Sequence, residues 1–224
     1  MSRAPNIIYF GGAFDPIHLG HMDAVKIAQE SFPEARVILI PGCVLPESAE
    51  KTKSVVAPFI DRVAMAVVAF DEWPRVEISS IEEELEAPNY TYLTLEALAV
   101  ENPGSKLAWM IGADQLASFP KWKNPKRILE LASLIVLPRA TVSAGDILEL
   151  ATQVASILGF STALNGDRRR LDLDGAGSIY VLDRAPMVIS STEVRKLAGD
   201  NLKKIEGLVT PAVAEYIADL GLYQ

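Results

Sequence analysis

The residues that most constrain this 224-residue chain lie near its N-terminus, where an apolar run meets two glycines and two histidines. The apolar run is residues 7–10, and it is followed by Gly11-Gly12-Ala13-Phe14-Asp15-Pro16-Ile17-His18-Leu19-Gly20-His21. This order predicts a strand, a tight turn and a helix that begins near Met22, because glycine permits turn conformations that other residues avoid. Both histidines of the chain lie in this segment, three residues apart.

A junction of this kind is suited to bind phosphate. The N–H groups and the positive dipole end of a helix N-terminus attract anions, and Gly11 and Gly12 let a ligand approach the backbone. Because residues i and i+3 of a helix share a face, we expect His18 and His21 to point into one pocket. Two imidazoles suit the charge of a transferring phosphoryl group. The alternatives are a metal half-site and ordinary surface residues. We expect no zinc site and no metal-ligating residues here, because zinc needs further ligands, no other histidine exists and Cys43 is the only cysteine.

The rest of the chain predicts an α/β fold. Strands are predicted at residues 36–40, 76–78, 107–111, 133–137 and 179–182, and helices at 22–31, 58–70, 90–100, 146–158, 191–197 and 211–220. Apolar strands separated by helices predict a doubly wound, Rossmann-like parallel sheet with helices on both faces. The glycine turn then lies at the carboxyl end of the first strand, where such sheets bind ligands. We expect one domain over residues 1–224, with a small helical part from about residue 190.

Composition excludes several classes of protein. A net charge of −8 argues against a general nucleic-acid surface. The single cysteine excludes an internal disulfide, and neither a signal peptide nor an apolar stretch of membrane-spanning length is present. We therefore expect a cytoplasmic protein without a membrane or nucleic-acid partner; its oligomeric state is not predicted. The least regular stretch, 139–177, contains Arg168-Arg169-Arg170, which is more typical of a solvated loop than of an anion site.

Four segments resemble the H-x-G-H nucleotidyltransferases, the superfamily related to class I aminoacyl-tRNA synthetases. They are the glycine–histidine segment, Ile189-Ser190-Ser191-Thr192-Glu193-Val194-Arg195, Ile111-Gly112-Ala113-Asp114-Gln115-Leu116 with Trp122 behind it, and Asn89-Tyr90-Thr91 with Thr94-Leu95 behind it. The ending, Tyr216-Ile217 and Gly221-Leu222-Tyr223, also fits. Over nearly its whole length the sequence is most similar to the bacterial nicotinate-nucleotide adenylyltransferase family. The resemblance implies adenylyl transfer from ATP, with Mg²⁺, to nicotinate mononucleotide, giving deamido-NAD and pyrophosphate in NAD biosynthesis.

The resemblance also assigns an ATP site. It implies that His18 and His21 are catalytic and contact the α-phosphate, and that the segment with Ser191 and Arg195 holds the phosphates and closes over the adenine. The implied ATP-binding residues are Gly11, Gly12, Phe14, His18, His21, Ser190, Ser191 and Arg195. From the residues alone, Ser190 or Ser191 caps a short helix, and Arg195 one turn on adds a cation at the same end. Asp15, which precedes a proline, is expected to shape the turn.

The mononucleotide is assigned to a second group: Tyr90, Thr91, Asp114 and Trp122. The resemblance implies that Trp122 stacks on the pyridine ring and that Asp114 makes a polar contact in the nucleotide pocket. Tyr90 and Thr91 open a helix whose N–H groups suit the nicotinate carboxylate. Each has a structural alternative: Asp114 as a helix N-cap, Trp122 as a cover of the core, and Tyr90 and Thr91 as packing and capping residues.

One segment departs from the family pattern. The family carries a Pro-Pro-His-Lys loop after its second strand, and here that stretch is Pro41-Gly42-Cys43-Val44-Leu45-Pro46-Glu47-Ser48-Ala49-Glu50-Lys51-Thr52-Lys53. The histidine is missing, so we expect Lys51 or Lys53 to supply the positive charge as a phosphate-binding loop. The departure leaves three alternatives open: another adenylyl or cytidylyl transferase of the superfamily, using nicotinamide mononucleotide or another phosphorylated substrate; a catalytically weakened nucleotide-binding regulator; and a class I tRNA-synthetase relative.

Overall fold

The centre of the structure is a mostly parallel sheet with helices on both faces. The structure is a computed structural model that describes residues 4–46, 55–139, 142–166 and 169–224. Within these ranges the sheet has eight strands in the order β3-β2-β1-β4-β5-β8-β7-β6. The strands are β1 (Ile7–Gly12), β2 (Arg36–Pro41), β3 (Val76–Ile78), β4 (Leu107–Gly112), β5 (Ala132–Leu137), β6 (Thr162–Leu164), β7 (Arg170–Leu173) and β8 (Ser178–Val181).

The helices divide between the two faces of the sheet. They are α1 (Leu19–Ser31), α2 (Phe59–Phe70), α3 (Ile81–Glu84), α4 (Thr91–Glu101), α5 (Ala113–Ser118), α6 (Pro125–Leu131), α7 (Ala144–Ile157), α8 (Ser191–Asp200) and α9 (Pro211–Asp219), with 3-10 turns at Phe119–Lys121 and Leu202–Ile205. Successive strand residues face opposite sides, so Ile8 joins the core beneath α1, α2, α8 and α9, while Ile7 and Tyr9 join the core beneath α4 to α7. The described helices include none that is long and apolar enough to cross a membrane.

The predicted doubly wound sheet is confirmed, with one correction at its edge. β1 to β5 and β8 pair in parallel, whereas β6 and β7 are antiparallel to their neighbours. These two strands lie in the stretch predicted to be irregular, and they are short and contain polar residues, so they lack the continuous apolar run of a buried strand. Arg170 begins β7 and pairs with Asp172 at 2.9 Å, so for this residue the predicted solvated loop is wrong. Arg169 pairs with Asp183, and Arg168 lies outside the described residues.

The order of the strands determines where the loops meet. From β1 the chain proceeds outward through β2 to β3 and then returns to β4 on the other side of β1. The carboxyl ends of β1, β2 and β4, at Gly12, Pro41 and Gly112, therefore lie side by side at the switch point of the sheet. This is the edge where open α/β sheets bind their ligands.

Candidate active site

His18 and His21 are held together at the first turn of α1. His18 is the N-cap residue and His21 the third helical residue, and each backbone N–H donates to Nδ1 of the other ring at 3.3 Å. The ring centroids are 3.6 Å apart with the planes 18° from parallel. Because Nδ1 accepts a hydrogen bond in both rings, the proton of each neutral imidazole is assigned to Nε2. The pair therefore presents two Nε2–H donors at a helix N-terminus, an arrangement that suits an anionic oxygen.

Aromatic packing and close backbone contacts place this pair against the end of β1. The Phe14 ring packs edge-on against His21, with centroids 5.0 Å apart, and its backbone has a φ of 48° in the left-handed region. A Cβ on Gly11 would lie 2.3 Å from the Trp109 ring, so only glycine fits there. A Cβ on Gly20 would lie 2.7 Å from the carbonyl oxygen of Met187. Because glycine has no Cβ, the segment before α8 can lie directly against α1.

Asp15 joins the glycine turn to the chain's other end. Its buried carboxylate accepts hydrogen bonds from the backbone N–H groups of Val56, at 2.7 Å, and Ala57, at 3.1 Å. Arg195 Nη1 donates to the Asp15 carbonyl oxygen at 2.6 Å and lies 3.6 Å from the carboxylate. Ser191 Oγ donates to the Pro16 carbonyl oxygen at 3.1 Å. The two distant segments that were predicted to bind ATP are thus in contact through Asp15 and Pro16.

Ser190 is the N-cap of α8. Ser190 Oγ accepts a hydrogen bond from the backbone N–H of Glu193 at 3.1 Å, so Ser190 is the cap and Ser191 is the first helical residue. The Arg195 guanidinium also donates to Thr192 Oγ1 at 3.3 Å, which places it on the side of α8 that meets the glycine turn. The start of α8 and the Arg195 guanidinium therefore lie close together, which is the arrangement that the predicted anion site requires.

Arg62 is a buried cation that binds three loops at once. Only 2% of the residue is exposed, and its guanidinium donates to the carbonyl oxygens of Ala13 at 2.6 Å, Gly42 at 2.7 Å and Ala57 at 3.2 Å. Burial lowers the pKa of Arg62, and the nearby Asp15 carboxylate opposes this effect. Arg62 therefore joins the turn after β1, the turn after β2 and the start of α2. The sequence carried a signal for it, because Asp61 and Arg62 are the only charged residues of an otherwise apolar helix.

A second buried network secures the segment after β2. The Glu82 carboxylate accepts from Thr94 Oγ1 at 2.9 Å and from the Cys43 backbone N–H at 3.2 Å. Asn89 accepts from the Val44 N–H at 2.7 Å and donates to the Glu82 carbonyl oxygen at 2.9 Å. The described first part of the segment that replaces the family's Pro-Pro-His-Lys loop is therefore anchored, at Cys43 and Val44, to α3 and to the residues before α4. Sequence reasoning missed Glu82 because it lies in an acidic run that reads as surface.

The buried Glu82 predicts a pH-dependent stability. Burial raises the pKa of Glu82 above its ordinary value of 4.5, against the opposing effects of the Thr94 and Cys43 hydrogen bonds and of Arg62. A carboxyl whose folded pKa is raised binds its proton more readily in the folded state, so the free energy of unfolding falls as pH rises from 4.5 through the folded pKa. We expect Glu82→Gln, which stays neutral, to gain stability relative to the parent over that window.

Urea unfolding of both proteins from about pH 4 to about pH 8 measures this difference. The other titrating groups are common to the two proteins and cancel. A stability difference that does not change with pH would contradict the prediction.

The structure places the predicted mononucleotide residues along the same edge, in two groups. Tyr90 is the N-cap of α4 and Thr91 its first residue, as predicted. Asp114 is not an N-cap: Gly112 caps α5, and Asp114, in its first turn, pairs with Arg139 at 3.1 Å. The helix begins earlier than predicted because Gln115 Oε1 accepts from the Gly112 N–H at 3.1 Å. Trp122 packs on Phe119 with ring centroids 5.3 Å apart, so it covers the core.

The predicted phosphate-binding lysines and the metal ligands have to be considered within the residues that the structure describes. Lys51 and Lys53 lie outside the described residues. Within the described ranges, no group of three or more histidine, cysteine, aspartate or glutamate side chains is arranged to hold a metal ion.

Comparison with known proteins assigns the chain to a family. Residues 9–197 match the cytidylyltransferase-like family model. A protein of Aeromonas salmonicida is 34% identical over 100% of this chain and 99% of its own. One of Acidithiobacillus ferrooxidans is 33% identical over 100% of this chain and 98% of its own, and both carry the name "Probable nicotinate-nucleotide adenylyltransferase".

A solved structure has the same fold. The Plasmodium falciparum nicotinic acid mononucleotide adenylyltransferase complexed with NaAD superposes with a TM-score of 0.68 at 18% identity, covering 98% of each chain. The chain therefore belongs to the cytidylyltransferase-like family and, within it, to the nicotinate-nucleotide adenylyltransferases.

Proposed function

We propose that this chain transfers the adenylyl group of ATP to nicotinate mononucleotide, forming deamido-NAD and pyrophosphate for NAD biosynthesis. The observation that carries the proposal is the stacked His18–His21 pair at the end of β1, against which α8 brings Ser191 and Arg195. The relatives from Aeromonas and Acidithiobacillus carry the name of this activity over the full length of the chain.

The reaction is an in-line displacement at the α-phosphorus of ATP. A 5′-phosphate oxygen of nicotinate mononucleotide forms a bond to the α-phosphorus, and the bond to the bridging oxygen of the β-phosphate breaks. The electron pair leaves with pyrophosphate. The attacking phosphate is already anionic, so no proton has to be removed from it. Catalysis then consists of positioning and of stabilising the negative charge on the α-phosphoryl oxygens.

We assign that stabilisation to His18 and His21. Their Nε2–H groups donate to the α-phosphoryl oxygens, and the reciprocal hydrogen bonds at Nδ1 keep the two rings from rotating. A donor held in place before the reaction requires no reorganisation when charge develops. Gly11 and Gly12 at the end of β1, with Phe14 in the turn that follows, form the surface on which the nucleotide lies. Ser190, Ser191 and Arg195 bind the triphosphate from α8. No covalent nucleophile is proposed, since burial and the neighbouring Glu83 and Glu82 raise the pKa of the Cys43 thiol.

The mononucleotide is assigned to the neighbouring loops at the same edge. The N-terminus of α4, at Tyr90 and Thr91, offers backbone N–H groups for the nicotinate carboxylate. Asp114, in the first turn of α5 directly after β4, is proposed as its polar contact. Trp122, which packs on Phe119, is proposed as its stacking contact. Lys51 and Lys53 are proposed as the cationic loop over the phosphates.

Mg²⁺ is proposed to enter with ATP. The triphosphate oxygens and water would supply most of its ligands, since Mg²⁺ keeps several waters when it binds with a nucleotide. When bound, the ion neutralises charge on the leaving pyrophosphate.

We propose that the whole chain is one catalytic domain, because α8 and α9 complete the core on the α1 and α2 face of the sheet.

Pyrophosphate release tests the proposal directly. The purified chain is incubated with ATP and, in parallel, with nicotinate mononucleotide, nicotinamide mononucleotide or phosphopantetheine. We expect the acid to be preferred over the amide by at least about tenfold in kcat/KM, because a site that binds a carboxylate leaves buried donors unmatched by the amide. Preference for another acceptor would indicate a different transferase. ATP binding without release from any acceptor would indicate a regulator.

A further inference from the structure

The C-terminal tail folds back onto the glycine turn. After α9 the chain passes through Gly221, with φ 60°, and Tyr223, with φ 67°, two left-handed conformations that reverse its direction. The Leu222 N–H donates to the Ile217 carbonyl oxygen at 3.0 Å. A Cβ on Gly199 of α8 would lie 2.8 Å from the Tyr223 carbonyl oxygen, so the tail lies directly against α8, one turn beyond Arg195.

The side chain of Tyr223 reaches Asp15, next to the proposed ATP site. Its hydroxyl donates to Asp15 Oδ1 at 2.8 Å, while the other carboxylate oxygen lies 3.6 Å from Arg195 Nη1. Tyr223 therefore contacts the carboxylate that faces the phosphate-binding arginine. Burial, followed by the hydrogen bond to Asp15, raises the pKa of the Tyr223 phenol, so it remains a neutral donor. Tyr223 lies beyond residues 9–197, the part that the family model matches.

We propose that Tyr223 is a positioning residue for ATP: by donating to Asp15 it keeps the Arg195 guanidinium available to the triphosphate. The inference rests on the proposed role of Arg195 in binding ATP. A buried carboxylate that loses one hydrogen-bond donor gains free energy by bonding to another donor nearby. The Arg195 guanidinium lies 3.6 Å from the Asp15 carboxylate, and a small movement would bring it to the length of a charge-assisted hydrogen bond, about 2.8 Å. Without the tyrosine hydroxyl, Asp15 Oδ1 keeps only the Ala57 N–H as a donor. The Arg195 guanidinium, whose Nη1 already donates to the Asp15 carbonyl oxygen, then moves closer to the carboxylate and interacts less with the phosphates.

Tyr223→Phe in the full chain tests the role of the hydroxyl. We expect the dissociation constant of a non-hydrolysable ATP analogue and KM for ATP to rise about tenfold, with KM for nicotinate mononucleotide within about twofold of the parent. Tyr216→Phe is the matched control, because Tyr216 donates to the Asp61 carboxylate at 3.0 Å, between α9 and α2, and does not contact Asp15. We expect this control to bind the analogue as the parent does.

Gly199→Ala provides a second test that leaves the Tyr223 side chain intact. The added methyl group displaces the Tyr223 carbonyl and draws the tail from Asp15, so ATP binding is again weakened selectively. The proposal would be overturned if Tyr223→Phe and Gly199→Ala bound the ATP analogue as tightly as the parent and Tyr216→Phe do. Equal rises in KM for both substrates would also overturn it, since they would indicate a structural role alone. Analogue binding needs no second substrate, so a parent without transferase activity would refute the proposed function separately.

Discussion

We expect His18→Ala to lower kcat by about 10²–10³-fold and to change KM for ATP by less than about threefold. The His18 ring is nearly buried and is held by its hydrogen bond and by stacking on His21, so its Nε2–H is positioned before the substrate arrives. Its interaction strengthens as negative charge develops on the α-phosphoryl oxygens, and a contact made mainly in the transition state affects kcat. Steady-state kinetics with ATP and nicotinate mononucleotide measure both constants.

Two controls separate this role from the helix cap that His18 also forms. His18→Asn retains an N-cap acceptor, so we expect stability to remain within about 0.5 kcal/mol while kcat falls. Ser143→Ala removes the cap of α7 instead, where Ser143 Oγ accepts from the Asp146 N–H at 3.2 Å. It is expected to cost about 1 kcal/mol of stability and to leave kcat unchanged. A loss in His18→Ala carried entirely by KM for ATP would refute the assignment.

The largest expected loss of stability follows from Arg62→Met. The substitution leaves the buried carbonyl oxygens of Gly42 and Ala57, and the partly buried one of Ala13, without their charged donor. We expect this to cost about 3–5 kcal/mol of unfolding free energy. The turns after β1 and β2 are no longer held together, so kcat/KM falls for both substrates. Urea unfolding, with kinetics on the folded protein, measures the two effects.

Conservative and surface substitutions serve as controls for Arg62. Arg62→Lys keeps the charge, but an ammonium group lacks the planar fork that reaches three carbonyls, so we expect an intermediate loss. Arg36→Met removes an exposed arginine that pairs with Glu77 at 2.8 Å, and its expected cost is less than about 1 kcal/mol. A cost for Arg62→Met as small as that for Arg36→Met would contradict the role of Arg62.

Much of the fold was predictable because its signals are local. The buried strands β1, β2, β4 and β5 are continuous apolar runs, and each was predicted within one or two residues of its observed ends. β6 and β7 were missed because a short antiparallel pair at the edge of a sheet buries only part of its surface and lacks that run. The N-cap alternative for Asp114 is wrong: it rested on the preference of acidic residues for caps, whereas Gln115 accepts from the Gly112 N–H, so that Gly112 is the cap and α5 begins at Ala113.

The residues of the candidate site likewise differ in whether the sequence alone could identify them. Its chemical groups could be named from the sequence wherever neighbouring residues form a unit, as in the His18–His21 pair and the α8 segment with Ser191 and Arg195. Arg62, Glu82 and Tyr223 could not be assigned, because their partners are residues that only the folded chain brings near them.

The sequence by itself determined the phosphate-binding junction and the alternation of strands and helices, since turn chemistry and side-chain periodicity depend on residues close together in the chain. Only the tertiary structure decided that the last residues of the chain meet the first turn, where Tyr223 and Arg195 both contact Asp15. The physical reason is that hydrogen bonds and ion pairs act over a few ångströms in space, whereas Asp15 and Tyr223 are 208 positions apart along the chain.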